Sequence, residues 1–390
     1  MSHLESGLSV ALHVADGAVA EVQIRSTRLV QASRLLAGRT PPQVATILPT
    51  VYALCGTAQA LAGIAAMEAA LGLVPSPAQR MARRVLLRVE SVTEHAQGIL
   101  RDWPALLDEP PDLASIKPLR PMVTAAKRAL YPHGDWARPG GGRLTIDHGA
   151  LIEQMRLMTT LAAHLFDGSP EDWAEDPAAL QAWMRRGEGV AARLLDRVGR
   201  SDLAGFGRSA PHLMPDAGPR DLESRLTADA SGAYVARPDS GGQVLETNAL
   251  SRQSAHPLVA DLMTRHGTGL APRLLARLVE IVEALRELED LVQDLCDDSG
   301  TAAEPSGSGS GLGMVDAARG LLAHRVEIEE GVVSRYQILA PTEWNFHPEG
   351  PLRAGLLGAE AGPDLDWRAR LLVAALDPCV ACRIEVLDHA

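Results

Sequence analysis

Aliphatic residues spaced at helical intervals, with almost no aromatic filler between them, limit most strongly what this chain can become. The segment LLARLVEIVEALRELEDLVQDL carries apolar residues at i, i+3, i+4 and i+7 with charges opposite, which predicts a helix over about 272–295 with a solvated charged face. A second amphipathic helix is predicted over about 78–108, and a third, rich in Ala and Gly, from about Val51 through LCGTAQALAGIAAMEAALGL. Aromatic residues make up only 3% of the chain. Leu, Val, Ala and Ile must therefore fill the core, through helices packed ridge into groove.

Both ends read differently. LSVALHV and AVAEVQI, joined at Asp16-Gly17, predict a β-hairpin, and HRVEIEEGVVSRYQIL predicts another turning at Gly331. VQASRLLAGR predicts a short helix ending at Gly38, 146–199 is helical, and 200–245 is irregular. TAAEPSGSGSGLG lacks apolar anchors and is expected to be flexible. The expected class is α+β, mainly α. Its organisation is a hairpin plus helical body over 1–300, a Gly/Ser linker over 301–311, and a C-terminal β-containing segment over 312–390 packed on the same body.

With 390 residues, the chain exceeds a typical domain of ~150. The net charge of −12 argues against phosphate backbones and anionic membranes as partners. Lys117 and Lys127 are the only lysines, so Arg supplies nearly all positive charge. Neither a secretory leader nor a membrane-spanning run is visible, and a cytoplasmic protein is expected. Four cysteines are too few for a disulfide framework. Two of them, Cys379 and Cys382, form Cys-x-x-Cys near the chain end; by spacing alone, metal binding, redox pairing and coincidence stay open.

A set of motifs in order narrows this. The N-terminal hairpin with RLLAGRTPPQVATILPTVYALCG, then Glu246–Arg252 (ETNALSR), Asp316–His324 (DAARGLLAH), Tyr336–Pro348 (YQILAPTEWNFHP) and Asp377–Cys382 (DPCVAC) resemble the large subunit of nickel–iron hydrogenases along most of its length. In that family four thiolates hold a nickel–iron centre whose iron carries carbon monoxide and two cyanides. By this resemblance Cys55, Cys379 and Cys382 are metal ligands, and Arg319, Pro341 and Thr342 line the cyanide/carbonyl pocket.

The departures are as informative. Cys55 and Gly56 survive, but the first motif's second cysteine is absent. Without a gap, Ala58 stands in its place and Ala62 in that of the motif's His; with a three-residue deletion, Gln59 replaces the His and Glu68 meets the family's helix Glu. Ala318 replaces the Pro before Arg319, and Glu385 replaces the final His. Glu68, His324 and Glu385 are candidates for supporting positions, His324 also reading as an ordinary core histidine; Cys296 matches no motif and reads as structural.

Three thiolates of four imply no stable nickel and no catalysis, while an iron fragment could still be held. The combination resembles hydrogenase accessory proteins of the HupK/HoxV kind. It implies a maturation scaffold that transiently holds an Fe(CN)2CO unit. Its expected partners are maturation chaperones and, as further candidates, the hydrogenase large or small subunit. An inactive large-subunit mimic acting only through interactions, and an active variant hydrogenase, are the competing readings. The missing His also predicts no C-terminal proteolysis.

Overall fold

The computed structural model describes residues 7–27, 30–52, 55–209, 212–300 and 307–388. The chain opens with a hairpin, β1 (Gly7–Ala15) and β2 (Ala18–Ser26), turning at Asp16-Gly17 as expected. Leu8, Val10, Leu12 and Val14 alternate inward, so one face of the hairpin is buried on the helical body. The segment Val30–Leu36 is a 3-10 helix rather than an α-helix. The long helix expected from Val51 is interrupted. α1 (Pro41–Val51) stops, and α2 (Gly56–Leu71) starts afresh immediately after Cys55.

Two long helices carry the centre: α3 (Pro77–Leu106) and, after a peripheral layer of shorter helices, α4 (Leu270–Asp294). They share a core of Val, Leu, Ile and Ala. The charged face of α4 is not simply solvated, as its pattern suggested. Arg273, Arg277 and Glu280 are all buried, because carboxylates and guanidinium groups from other segments meet them there.

A second antiparallel sheet follows, ordered β3 (Gly309–Ala317), β4 (Gly320–Glu329), β5 (Val332–Leu339), with the predicted turn at Gly331. It leads into the short helix α5 (Pro341–Asn345) and later α6 (Leu365–Leu376). The last strand, β6 (Ala381–Asp388), pairs in parallel with β1 to give the order β2-β1-β6. The two chain ends thereby share one sheet.

The expected linker differs from the observed backbone. Residues 301–306 lie outside the described residues, while Gly309–Gly311 already belong to β3. Their glycines serve contact rather than freedom. A Cβ on Gly309, Gly311 or Gly313 would sit 2.1, 2.3 or 2.3 Å from the carbonyl oxygens of Ala70, Ala66 and Ala62. The strand therefore lies directly on the Ala-rich face of α2, backbone against backbone. Gly311→Val should lower stability by about 1–3 kcal/mol in urea denaturation, the usual range for overpacking. Ser310→Val, on the exposed side of the same strand, should change it far less.

Candidate functional site

Cys55 occupies the N-cap position of α2, half-buried, where the chain turns between two helices. Its own side chain does not cap the helix. Glu90, buried on α3, does so from outside, accepting hydrogen bonds from the backbone N–H of Thr57 (2.7 Å) and Ala58 (2.8 Å). Burial pushes the Cys55 thiol up to about 12, and the charges of Cys379 and Glu90 add to this while Arg319 and the Gln59 amide oppose it.

At the other end of the chain, α6 stops at Asp377, which adopts the left-handed conformation (φ 53°) before Pro378. This stop aims Cys379 at α5. Its Sγ lies 3.0 Å from Oγ1 of Thr342, a buried residue placed by Pro341 at the first turn of α5. Cys382 follows in β6 opposite Leu8, its side chain packed toward the core; burial pushes its thiol up to about 11.

Arg319 sits in the tight turn between β3 and β4 and ties these pieces together. Its Nη1 donates to Oε2 of Glu94 (2.9 Å) and its Nε lies 3.6 Å from Oδ2 of Asp377. Burial opposes its charge, but Asp377, Glu94 and Cys379 outweigh that and hold the guanidinium protonated. Asp377 also faces Arg277, whose Nη2 is 3.4 Å away. Burial would raise its carboxyl, yet Arg277 and Arg319 hold it below the usual range. Arg277 reaches this point across Gly98, where a Cβ would come within 2.6 Å of Nη2.

Hydrogen bonds stitch the separate motifs into one frame. Asn345 accepts from the Thr247 N–H (2.9 Å) and donates to the carbonyls of Thr247 (2.6 Å) and Arg319 (3.3 Å). Leu321 N–H donates to Oγ1 of Thr247 (2.8 Å), and Arg252 pairs bidentately with Glu280 while donating to the Ala318 carbonyl. Four sequence-distant segments thus converge around Arg319, Thr342 and Cys379.

The structure separates other candidates from this centre. Glu68 is buried in a bidentate pair with Arg83 and accepts from the Gly140 N–H. It lies thirteen residues along α2 from Cys55, about 20 Å away, and so belongs to the packing of the 131–143 loop. Glu385 is exposed and pairs with Arg383 on the face of β6 opposite Cys382. Cys296 is exposed, not part of the core. His324 is fully buried and bonded to Tyr336 and Gln59, as a core histidine would be. Among the described residues, no three His, Cys, Asp or Glu side chains converge so as to hold a metal ion. Cys55 and Cys379 are brought near one another, whereas the full three-thiol set is not assembled.

Sequence reasoning missed Glu90, Glu94, Asp377 and Arg277. Asp377 stood in the DPCVAC motif without a role assigned to it, and the i, i+4 spacing of Glu90 and Glu94 hinted that one face of α3 carried two carboxylates inward.

The fold and this frame define the class. A sequence model of the nickel-dependent hydrogenase family matches residues 247–385, which contain all four stitched segments apart from Glu246. Solved NiFeSe hydrogenases have the same fold: that of D. vulgaris Hildenborough in the reduced state superposes with a TM-score of 0.61 at 18% identity, covering 94% of each chain. Within that class, the chain belongs to the family of hydrogenase expression/formation proteins named HupK, HupV and HoxV. It is 30% identical over 376 residues to HoxV of Cupriavidus necator, covering 92% of this chain and 91% of that protein. It is 29% identical over 388 residues to HupK of Azotobacter vinelandii, covering 98% and 99%. No helix is long and apolar enough to cross a membrane among the described residues.

Burial of His324 gives the fold a pH dependence. Desolvation lowers its pKa to about 3, so the folded ring stays neutral while the unfolded one protonates below about 6.5. The unfolded state then binds the extra proton, and stability falls by about 1.4 kcal/mol per unit as pH drops through that window. Lowering pH from 7 to 5 should cost about 2 kcal/mol through this residue. The loss in denaturant midpoint should shrink by a corresponding amount in His324→Gln.

Proposed function

We propose that this protein is a non-catalytic maturation factor for nickel–iron hydrogenase, and that its cysteines hold the Fe(CN)2CO unit as transient cargo during assembly. The observation that carries the reading is the apposition of Cys379 with the Thr342 hydroxyl, beside Arg319 and within electrostatic reach of Cys55. Thiolates are suitable ligands for low-spin iron, while a guanidinium and a hydroxyl are suitable donors to cyanide nitrogen. Cys382, three residues on in β6 and packed toward the core, is the third ligand we propose, joining the other two only when cargo binds. Three ligands for a four-thiolate centre suit a cargo that must leave, and no resident nickel is expected.

Names of the relatives support the process: they are hydrogenase expression/formation proteins. Maturation chaperones, and a hydrogenase subunit receiving the cargo, are the partners we propose, with the work done in the cytoplasm. Infrared spectroscopy of protein from a host expressing the maturation machinery tests the cargo. Metal-bound carbonyl and cyanide bands should be present and should vanish in Cys379→Ser and Cys382→Ser. Bands absent from the wild type while assembly proceeds would sink this reading.

That outcome would favour an interaction protein that mimics the large subunit without carrying metal. Two observations speak for this second reading: no three candidate ligands converge among the described residues, and Arg319 is already engaged by Glu94 and Asp377.

The C-terminus should stay uncut. β6 is paired with β1 from Ala381 through Asp388, so the bond after Glu385 lies within a hydrogen-bonded strand. Proteases take extended backbone that is free of such pairing. The intact mass of protein purified alongside the maturation machinery should equal that of the full chain; loss of the residues after Glu385 would contradict this.

A further inference from the structure

The thiol of Cys55 is reached from the protein interior by an unbroken line of buried polar groups that ion pairing does not explain. Gln59 lies one turn along α2 and is buried, with Nε2 3.8 Å from Cys55 Sγ. Its other amide atom, Oε1, lies 3.0 Å from Nε2 of His324, and Nδ1 of His324 lies 2.8 Å from the Tyr336 hydroxyl. Gly63, a further turn along, leaves room for this group: a Cβ there would come within 2.6 Å of the Tyr336 oxygen and 3.4 Å of Nδ1. The same Cβ would lie 2.4 Å from Leu48 Cδ1, so this glycine admits the core leucine along with the histidine and tyrosine.

The direction of the protons follows from the chemistry of each group. His324 is neutral, since it is fully buried and no charged group acts on it. A neutral imidazole has one N–H. Oε1 of Gln59 can only accept, so that N–H is on Nε2; Nδ1 is then bare and accepts from the Tyr336 O–H. The Gln59 amide is held with its NH2 group toward Cys55. The reverse polarity would set a carbonyl oxygen against the sulfur, which is unfavourable once metal displaces the thiol proton and leaves the sulfur an acceptor only.

We propose that Gln59 is the positioning residue for Cys55: the one-way line Tyr336 to His324 to Gln59 fixes its amide so that the sulfur meets incoming metal as a hydrogen-bond acceptor. The proposal rests on the reading of Cys55 as a cargo ligand, and it gives His324 and Tyr336 a purpose that simple core packing does not. Hydrogen bonds to a metal-bound sulfur tune its donor strength without joining the coordination sphere.

The test has parts that do not need cargo. In nitrogen-15 NMR of the full chain labelled at histidine, the signals lost in His324→Gln should report a ring protonated at Nε2 and bare at Nδ1. The Gln59 side-chain amide protons should shift in Cys55→Ser and stay put in Cys382→Ser. A ring protonated at Nδ1, or amide protons indifferent to Cys55→Ser, overturns the proposal. In cargo-loaded protein, folded Gln59→Met should keep the carbonyl and cyanide bands but move the carbonyl band to lower frequency, because an unbonded sulfur donates more strongly; coincident bands overturn the proposal. A wild type without metal-bound bands overturns the iron-unit reading instead, and the two NMR measurements then decide Gln59 alone.

Discussion

Buried ion pairs between α4 and the 246–252 segment fix the geometry on which the rest depends. Arg273 meets Glu246 through two hydrogen bonds with both side chains almost fully enclosed, and Arg252 meets Glu280 in the same way. Glu280 stays ionised, held down to about 2: burial works against it, but Arg252 and His95 prevail. Such pairs add little net stability over an apolar core, yet leaving one partner unpaired costs several kcal/mol. They therefore select one arrangement. The pairs join α4 to Glu246 and to the short helix Ala249–Gln253 that follows it, and through Arg252, Arg277 and Asp377 the arrangement extends to the Arg319 turn and the residue before Pro378.

The Cys55 side is held by a different device. No charge anchors β3 on α2; close approach does, because three alternate glycines let the strand backbone touch the helix backbone. Glu90 then supplies from α3 the cap that α2 lacks in its own sequence, and Gln59 supplies the amide beneath the sulfur. One thiol is thus positioned by packing and capping, the other by a helix stop and an ionic frame. They come within electrostatic reach of one another, and both frames are built on α3, through Glu90 on one side and Glu94 on the other.

Much of the fold was legible in the chain. The hairpins at 7–26 and 320–339, α3 and α4 follow from period-2 and period-3.6 patterns, and these survive because each element buries one face. The failures have definite causes. Gly309–Gly311 read as a linker because Gly and Ser look alike whether they are free or pressed against a helix. Arg273, Arg277 and Glu280 read as solvated because a helical wheel shows charge but not the partner that buries it. Glu68 matched a motif position by alignment, yet Arg83 and Gly140 claim it about 20 Å along the helix from Cys55. Glu385 replaced a motif residue, but strand alternation turned it away from Cys382.

The sequence by itself determined the family, the elements and the roster of groups able to bind a metal, since motif order and residue chemistry need no coordinates. By the same resemblance, it implied three candidate thiolates where the hydrogenase large subunit has four. Only the tertiary structure decided which groups meet: Cys379 with Thr342, Arg319 with Glu94 and Asp377, Gln59 with both Cys55 and His324. These contacts span up to 265 residues of chain. Their partners are chosen by how α3, α4 and the two sheets pack, and local sequence carries no record of that choice.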